Sequence, residues 1–94
     1  MEFLGKNLEK MFNLIFKKEA SKYYKKCDRK EKVRLNKVFD ELEKNGFTNL
    51  DCKELKGELS GLKRIRVGDL RIILEENNND INILLIASRG NVYK

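Results

Sequence analysis

Gly61-Leu62-Lys63-Arg64-Ile65-Arg66-Val67-Gly68-Asp69-Leu70-Arg71-Ile72-Ile73 is the stretch that decides how this chain folds. Gly68-Asp69 is a two-residue hairpin signal with Gly first, as a type II′ turn requires. A two-residue turn sets the register. Val67 then lies opposite Leu70, Arg66 opposite Arg71, Ile65 opposite Ile72 and Arg64 opposite Ile73. Side chains alternate along a strand, so Ile65, Val67, Leu70 and Ile72 share a core face, and Arg64, Arg66 and Arg71 share the other. Two arginines directly opposed across a strand pair repel by a few tenths of a kcal/mol, as an order of magnitude. A purely structural sheet has no reason to choose that pair. A sheet that binds an oxyanion does, because a guanidinium offers it a rigid fork of donors. The structural alternative is screening of the pair by Glu58 or Glu75.

Working outward, Leu62–Val67, Leu70–Glu76 and Asp80–Ser88 are strand-like, and Asn77-Asn78-Asn79 supplies the second turn. Alternation from Ile81 places Ile81, Ile83, Leu85 and Ala87 on one face of the last strand. Arg89 and Tyr93 follow where that strand leaves the sheet. Upstream, Met11–Phe16 alternates as a strand. Ala20, Tyr23, Tyr24 and Cys27 recur at i, i+3, i+4 and i+7, one apolar stripe of a helix. A second helix begins at Asp28, an N-cap with Glu31 three residues on, the pattern of a capping box. Its stripe is Leu35, Val38, Phe39 and Leu42, and Asn45-Gly46 stops it. The short connection between the two predicts an antiparallel helical hairpin.

The order is therefore strand, helix, helix and a three-stranded meander. It predicts an α+β domain over residues 11–94, in which a small antiparallel sheet, the N-terminal strand plus the C-terminal meander, packs against the helical hairpin. Residues 1–10 form an N-terminal extension whose Phe3, Leu4 and Leu8 sit at the spacing of a short helix.

Composition narrows the chemistry. The 94 residues carry 21 Lys and Arg against 15 Asp and Glu, a formal net charge of +6, with no His, Pro or Trp. Without His, imidazole general bases, His triads and His metal sites are excluded. Cys27 and Cys52 match no metal spacing and are expected to be reduced thiols. No metal or cofactor is expected. The longest apolar run, Ile83–Ala87, is far too short to cross a bilayer, and no secretory signal is evident, so a cytoplasmic protein is expected. The basic excess concentrates between Lys17 and Lys37, a helical surface suited to a polyanion.

With those residues in place, the chain resembles the RelE/ParE toxins of type II toxin–antitoxin modules. The resemblance rests on Leu55-Lys56-Gly57, on the block from Gly61 to Ile73, and on Ser88-Arg89-Gly90-Asn91-Val92-Tyr93, within residues 11–93. It implies a ribosome-dependent endoribonuclease that cuts mRNA codons in the A site by attack of the ribose 2′-OH on the adjacent phosphate. It also implies a cognate antitoxin as partner, with ribosomal RNA against the basic helices. Carried over, Arg66 corresponds to a basic residue credited with proton abstraction or charge stabilisation. Arg71 would clamp the scissile phosphate, Arg89 would neutralise transition-state charge, and Tyr93 would stack on or orient a base. Arg64, Lys63 and Lys56 would contact RNA. Lys63, Leu70 and Leu74 replace family aromatics, and Ser88 stands where many relatives carry His. Catalysis must then rest on Arg-borne electrostatics and positioning, because Arg stays protonated. The same scaffold also serves gyrase-inhibiting ParE proteins without nuclease activity, and a degenerate, non-toxic nucleic-acid-binding relative is the third reading.

Overall fold

A computed structural model describes residues 11–88. Two helices lie on one face of a five-stranded sheet. The elements are β1 (Asn13–Phe16), α1 (Lys18–Lys26), α2 (Arg29–Asn45), β2 (Cys52–Glu54), a 3₁₀ turn (Gly57–Leu59), β3 (Lys63–Val67), β4 (Leu70–Asn77) and β5 (Asp80–Ser88). The sheet order is β1-β5-β4-β3-β2.

The helices begin and end where their local chemistry requires. The Asp28 carboxylate accepts from Glu31 N–H at 2.8 Å, and Glu31 Oε1 accepts from Asp28 N–H at 3.1 Å, a complete capping box. Gly46 closes α2 at φ 67° and ψ −139°, a conformation that excludes most other residues. The absent side chain also admits the Phe12 ring, which would stand 3.0 Å from a Cβ. Only Cys27 and Asp28 separate the two helices. They meet through Tyr24, whose hydroxyl donates to Asn36 Oδ1 at 2.8 Å and whose ring lies 6.2 Å from that of Phe39.

The core lies between the helices and the sheet. Ala20 and Cys27, with Leu35, Phe39 and Leu42 of α2, meet Ile65, Val67, Leu70, Ile72, Leu74, Ile81, Ile83 and Ile86. Burying each large aliphatic side chain there contributes about 1.5–3 kcal/mol. The hairpin register is the one the two-residue turn dictates: Val67 opposite Leu70, Ile65 opposite Ile72, and Arg66 opposite Arg71. Gly68 takes φ 61° at the turn.

Three features differ from the sequence expectation. The sheet is mixed, because β1 runs parallel to β5. Parallel neighbours need a long crossover, and here the helices and three strands intervene. A fifth strand, β2, pairs antiparallel with the free edge of β3. It is too short to show alternation and exists because β3 offers unpaired backbone groups. Finally, β5 carries a bulge. Leu74 pairs with Ile83 but Ile73 pairs with Leu85, leaving Leu84 as the extra residue. Beyond it the faces exchange. Ile86 enters the core, while Leu85 and Ala87 move to the opposite side of the sheet. Residues 1–10, with the expected short helix, lie outside the described residues, as do Arg89 and Tyr93.

Candidate nucleic-acid interface

The sheet face away from the helices carries the arginines. Arg66 and Arg71 are held side by side by the hairpin, and Arg64 lies two residues along β3 on the same face. Beside Arg71 on β5 is Ala87, and beside Ile73 is Leu85, both delivered there by the Leu84 bulge. Ile73 and Ala87 are buried among Leu55, Leu62, Leu84 and Leu85. The result is an apolar floor bordered by guanidinium groups. Apolar walls lower the local dielectric and strengthen each cation's pull on an oxyanion.

Each arginine is held differently. Arg66 approaches Asp51 with Nε–Oδ2 at 3.8 Å, and both side chains are at least half exposed, at 50% and 64%. Its backbone N–H donates to Asp51 O at 3.2 Å, so the segment before β2 holds the carboxylate in place. Arg71 is partly buried, and its Nη1 donates to Leu70 O at 3.2 Å. Arg64 Nε is buried and has no hydrogen-bond partner among the described residues. The acidic neighbour of the opposed pair is thus Asp51, rather than Glu58 or Glu75. Adjacency in the chain could not reveal it, because β2 and its approach are set by tertiary pairing.

Lys63 is held elsewhere. It shares the core-side face with Ile65 and Val67, its Nζ lies 5.1 Å above the Phe47 ring, and it meets Glu76 Oε1 at 3.5 Å. It therefore points away from the arginine face. Lys56 is exposed in the segment between β2 and the 3₁₀ turn.

Three further titratable groups are shifted by burial. Tyr23 of α1 hydrogen-bonds with Ser88 at the end of β5, next to Arg89 in sequence, and burial pushes its phenol above the ordinary value. Burial likewise pushes up the thiols of Cys27 and Cys52, both free. Among the described residues, no three His, Cys, Asp or Glu side chains gather as a metal site would need, and no helix is long and apolar enough to cross a membrane. What the face offers chemically is a set of permanently charged donors for a phosphate group, with one carboxylate at its edge.

Solved structures share this architecture. No family model and no curated protein matches the sequence. A chain of the archaeal RelE–RelB complex from Pyrococcus horikoshii OT3 is 26% identical, with a TM-score of 0.73 over 87% of this chain and 99% of that one. A RelB–RelE antitoxin–toxin complex from Methanococcus jannaschii is 27% identical, with a TM-score of 0.72 over 84% and 94%. YafQ from E. coli strain BL21(DE3) shares the fold at 12% identity, with a TM-score of 0.75 over 88% and 99%. The fold is that of the RelE/ParE-superfamily toxins. Its structural neighbours are toxins of type II toxin–antitoxin modules.

Proposed function

We propose that this protein is the toxin of a type II module and acts as a ribosome-dependent mRNA endoribonuclease. The observation that carries the proposal is the directly opposed Arg66–Arg71 pair, with Arg64 beside it, on the helix-free face of the sheet. In this reading Arg66 and Arg71 grip the non-bridging oxygens of the scissile phosphate. The ribose 2′-hydroxyl gives its proton to solvent as its oxygen attacks phosphorus, and the bond to the 5′-oxygen breaks; that oxygen takes up a proton from solvent, leaving a 2′,3′-cyclic phosphate and a 5′-hydroxyl. Negative charge on the phosphoryl oxygens grows toward the transition state, and fixed cations favour that state over the ground state. The chain has no imidazole and its arginines stay protonated, so its contribution is charge stabilisation and positioning. Arg89 would add a further cation and Tyr93 a ring on which a base stacks. Lys56 and the basic helices would meet ribosomal RNA.

The partner is proposed to be a cognate antitoxin, as the RelB–RelE antitoxin–toxin complex from Methanococcus jannaschii supports. A chain of net charge +6 favours an acidic segment, and one laid over the arginines would silence them. The test is expression without that partner, followed by primer extension on translated mRNA. Growth arrest with cuts at A-site codons is expected, and Arg71→Ala and Arg89→Ala should relieve both. Arrest with gyrase–DNA cleavage complexes and uncut mRNA would overturn the nuclease in favour of a gyrase inhibitor.

A further inference from the structure

The hairpin tip carries a cation that belongs to neither strand. Gly68 has φ 61°, as the first position of its turn demands, and its missing side chain leaves a gap. Arg34 of α2 fills it. Arg34 Nη1 lies 2.8 Å from where a Cβ on Gly68 would stand. The guanidinium thus sits on the turn joining the strands of Arg66 and Arg71, about 7 Å along β3 from Arg66 at the rise of a strand.

Its surroundings leave the charge free. Arg34 is exposed, and no ion pair or hydrogen bond engages it among the described residues. It lines a shallow depression with Arg29, Lys30, Val33 and Lys37, four cations around one exposed valine and no carboxylate. Such a cluster repels itself, and folding gains nothing evident from it. A purely structural Arg on an exposed turn would be expected to find an acidic neighbour, as Arg66 finds Asp51.

From this geometry we infer that Arg34 is a phosphate-binding residue. It extends the Arg66–Arg71 site around the hairpin tip onto α2, so that an RNA strand held at the arginines continues over the tip with a flanking phosphate on Arg34. The inference rests on the RNA reading above and deepens it. Arg34 contacts the sugar–phosphate backbone away from the reacting atoms and reads no base. Its contribution is therefore to affinity and register and is independent of sequence.

The test uses the full chain and a labelled single-stranded oligoribonucleotide, with binding followed by fluorescence anisotropy over a salt series. Each phosphate contact on a single strand contributes about 0.7 to the slope of log affinity against log salt. Arg34→Gln should lower that slope by about 0.7 at unchanged melting temperature, and Arg34→Lys, which keeps the charge, should restore it. Arg66→Gln is the control. If it lowers the slope and Arg34→Gln does not, the inference about Arg34 fails while the arginine site stands. If neither changes the slope, the RNA reading fails with it. If Arg34→Gln spares RNA binding but weakens capture of the antitoxin, Arg34 is a protein contact and the inference is overturned.

Discussion

Replacing Arg66 by Gln should separate activity from stability, because the two respond to different neighbours. Arg66 faces Arg71 directly across the hairpin. Like charges directly opposed across a strand pair repel by roughly a few tenths of a kcal/mol, and the substitution relieves that repulsion. It also removes the Asp51 ion pair, which at 3.8 Å and with both partners at least half exposed is worth about 0–1 kcal/mol. The two contributions nearly cancel. Net stability should change by no more than about 0.5 kcal/mol, or at most about 4 °C in Tm for a chain of this size. Cleavage should fall about 10²–10³-fold, the usual loss when one fixed donor to a developing oxyanion is removed. Circular-dichroism melting and primer extension on translated mRNA measure the two sides. A melting temperature lowered by more than about 8 °C with cleavage intact would refute the reasoning, since Arg66 would then be a structural ion-pair residue.

Three other outcomes are expected. Asp28→Ala removes the capping box of α2 and should cost about 1 kcal/mol, read as a drop in melting temperature, whereas Asp28→Asn should recover most of it. Gly46→Ala forces a side chain into a φ of 67° and against the Phe12 ring, and a loss of about 1–3 kcal/mol in a denaturant melt is expected. Finally, burial raises the Cys27 and Cys52 thiols and the Tyr23 phenol, so the folded chain holds these protons more tightly than the unfolded one. Their contribution is complete below the ordinary thiol value of about 8.5 and is lost as pH rises through the raised values. Melting temperature should fall on the alkaline side, and the combined Cys27→Ala, Cys52→Ala variant should fall less steeply. An equal slope in both proteins would contradict it.

Much of this molecule is written in interactions between residues a few positions apart. The Gly68-Asp69 turn determines the register of Arg66 and Arg71 because a two-residue loop permits only one. Asp28 and Glu31 determine where α2 starts, and Gly46 where it stops, because orphaned backbone groups must be met locally. The apolar spacing on α2 determines the face that Leu35, Phe39 and Leu42 bury. These local signals were enough for the α+β order and for the face that carries Arg64, Arg66 and Arg71.

The remainder depended on distant partners. Nothing in Asn13–Phe16 says that it will run parallel to β5, since that choice follows from where the intervening chain returns it. Alternation in β5 mis-assigned Leu85 and Ala87, because a bulge is chosen by the fit of two strands rather than by either one. Lys63 reads as one more cation beside Arg64 until pleating turns it toward Phe47 and Glu76. Asp51 becomes the partner of Arg66 only when β2 docks. Arg34 becomes a neighbour of Gly68 only when α2 lies across the sheet. The two helices, four of the five strands, the hairpin and its arginines were legible in the chain, each set by contacts within a few residues. Only the tertiary structure decided what surrounds those arginines, because contacts across dozens of residues form where the whole core buries best.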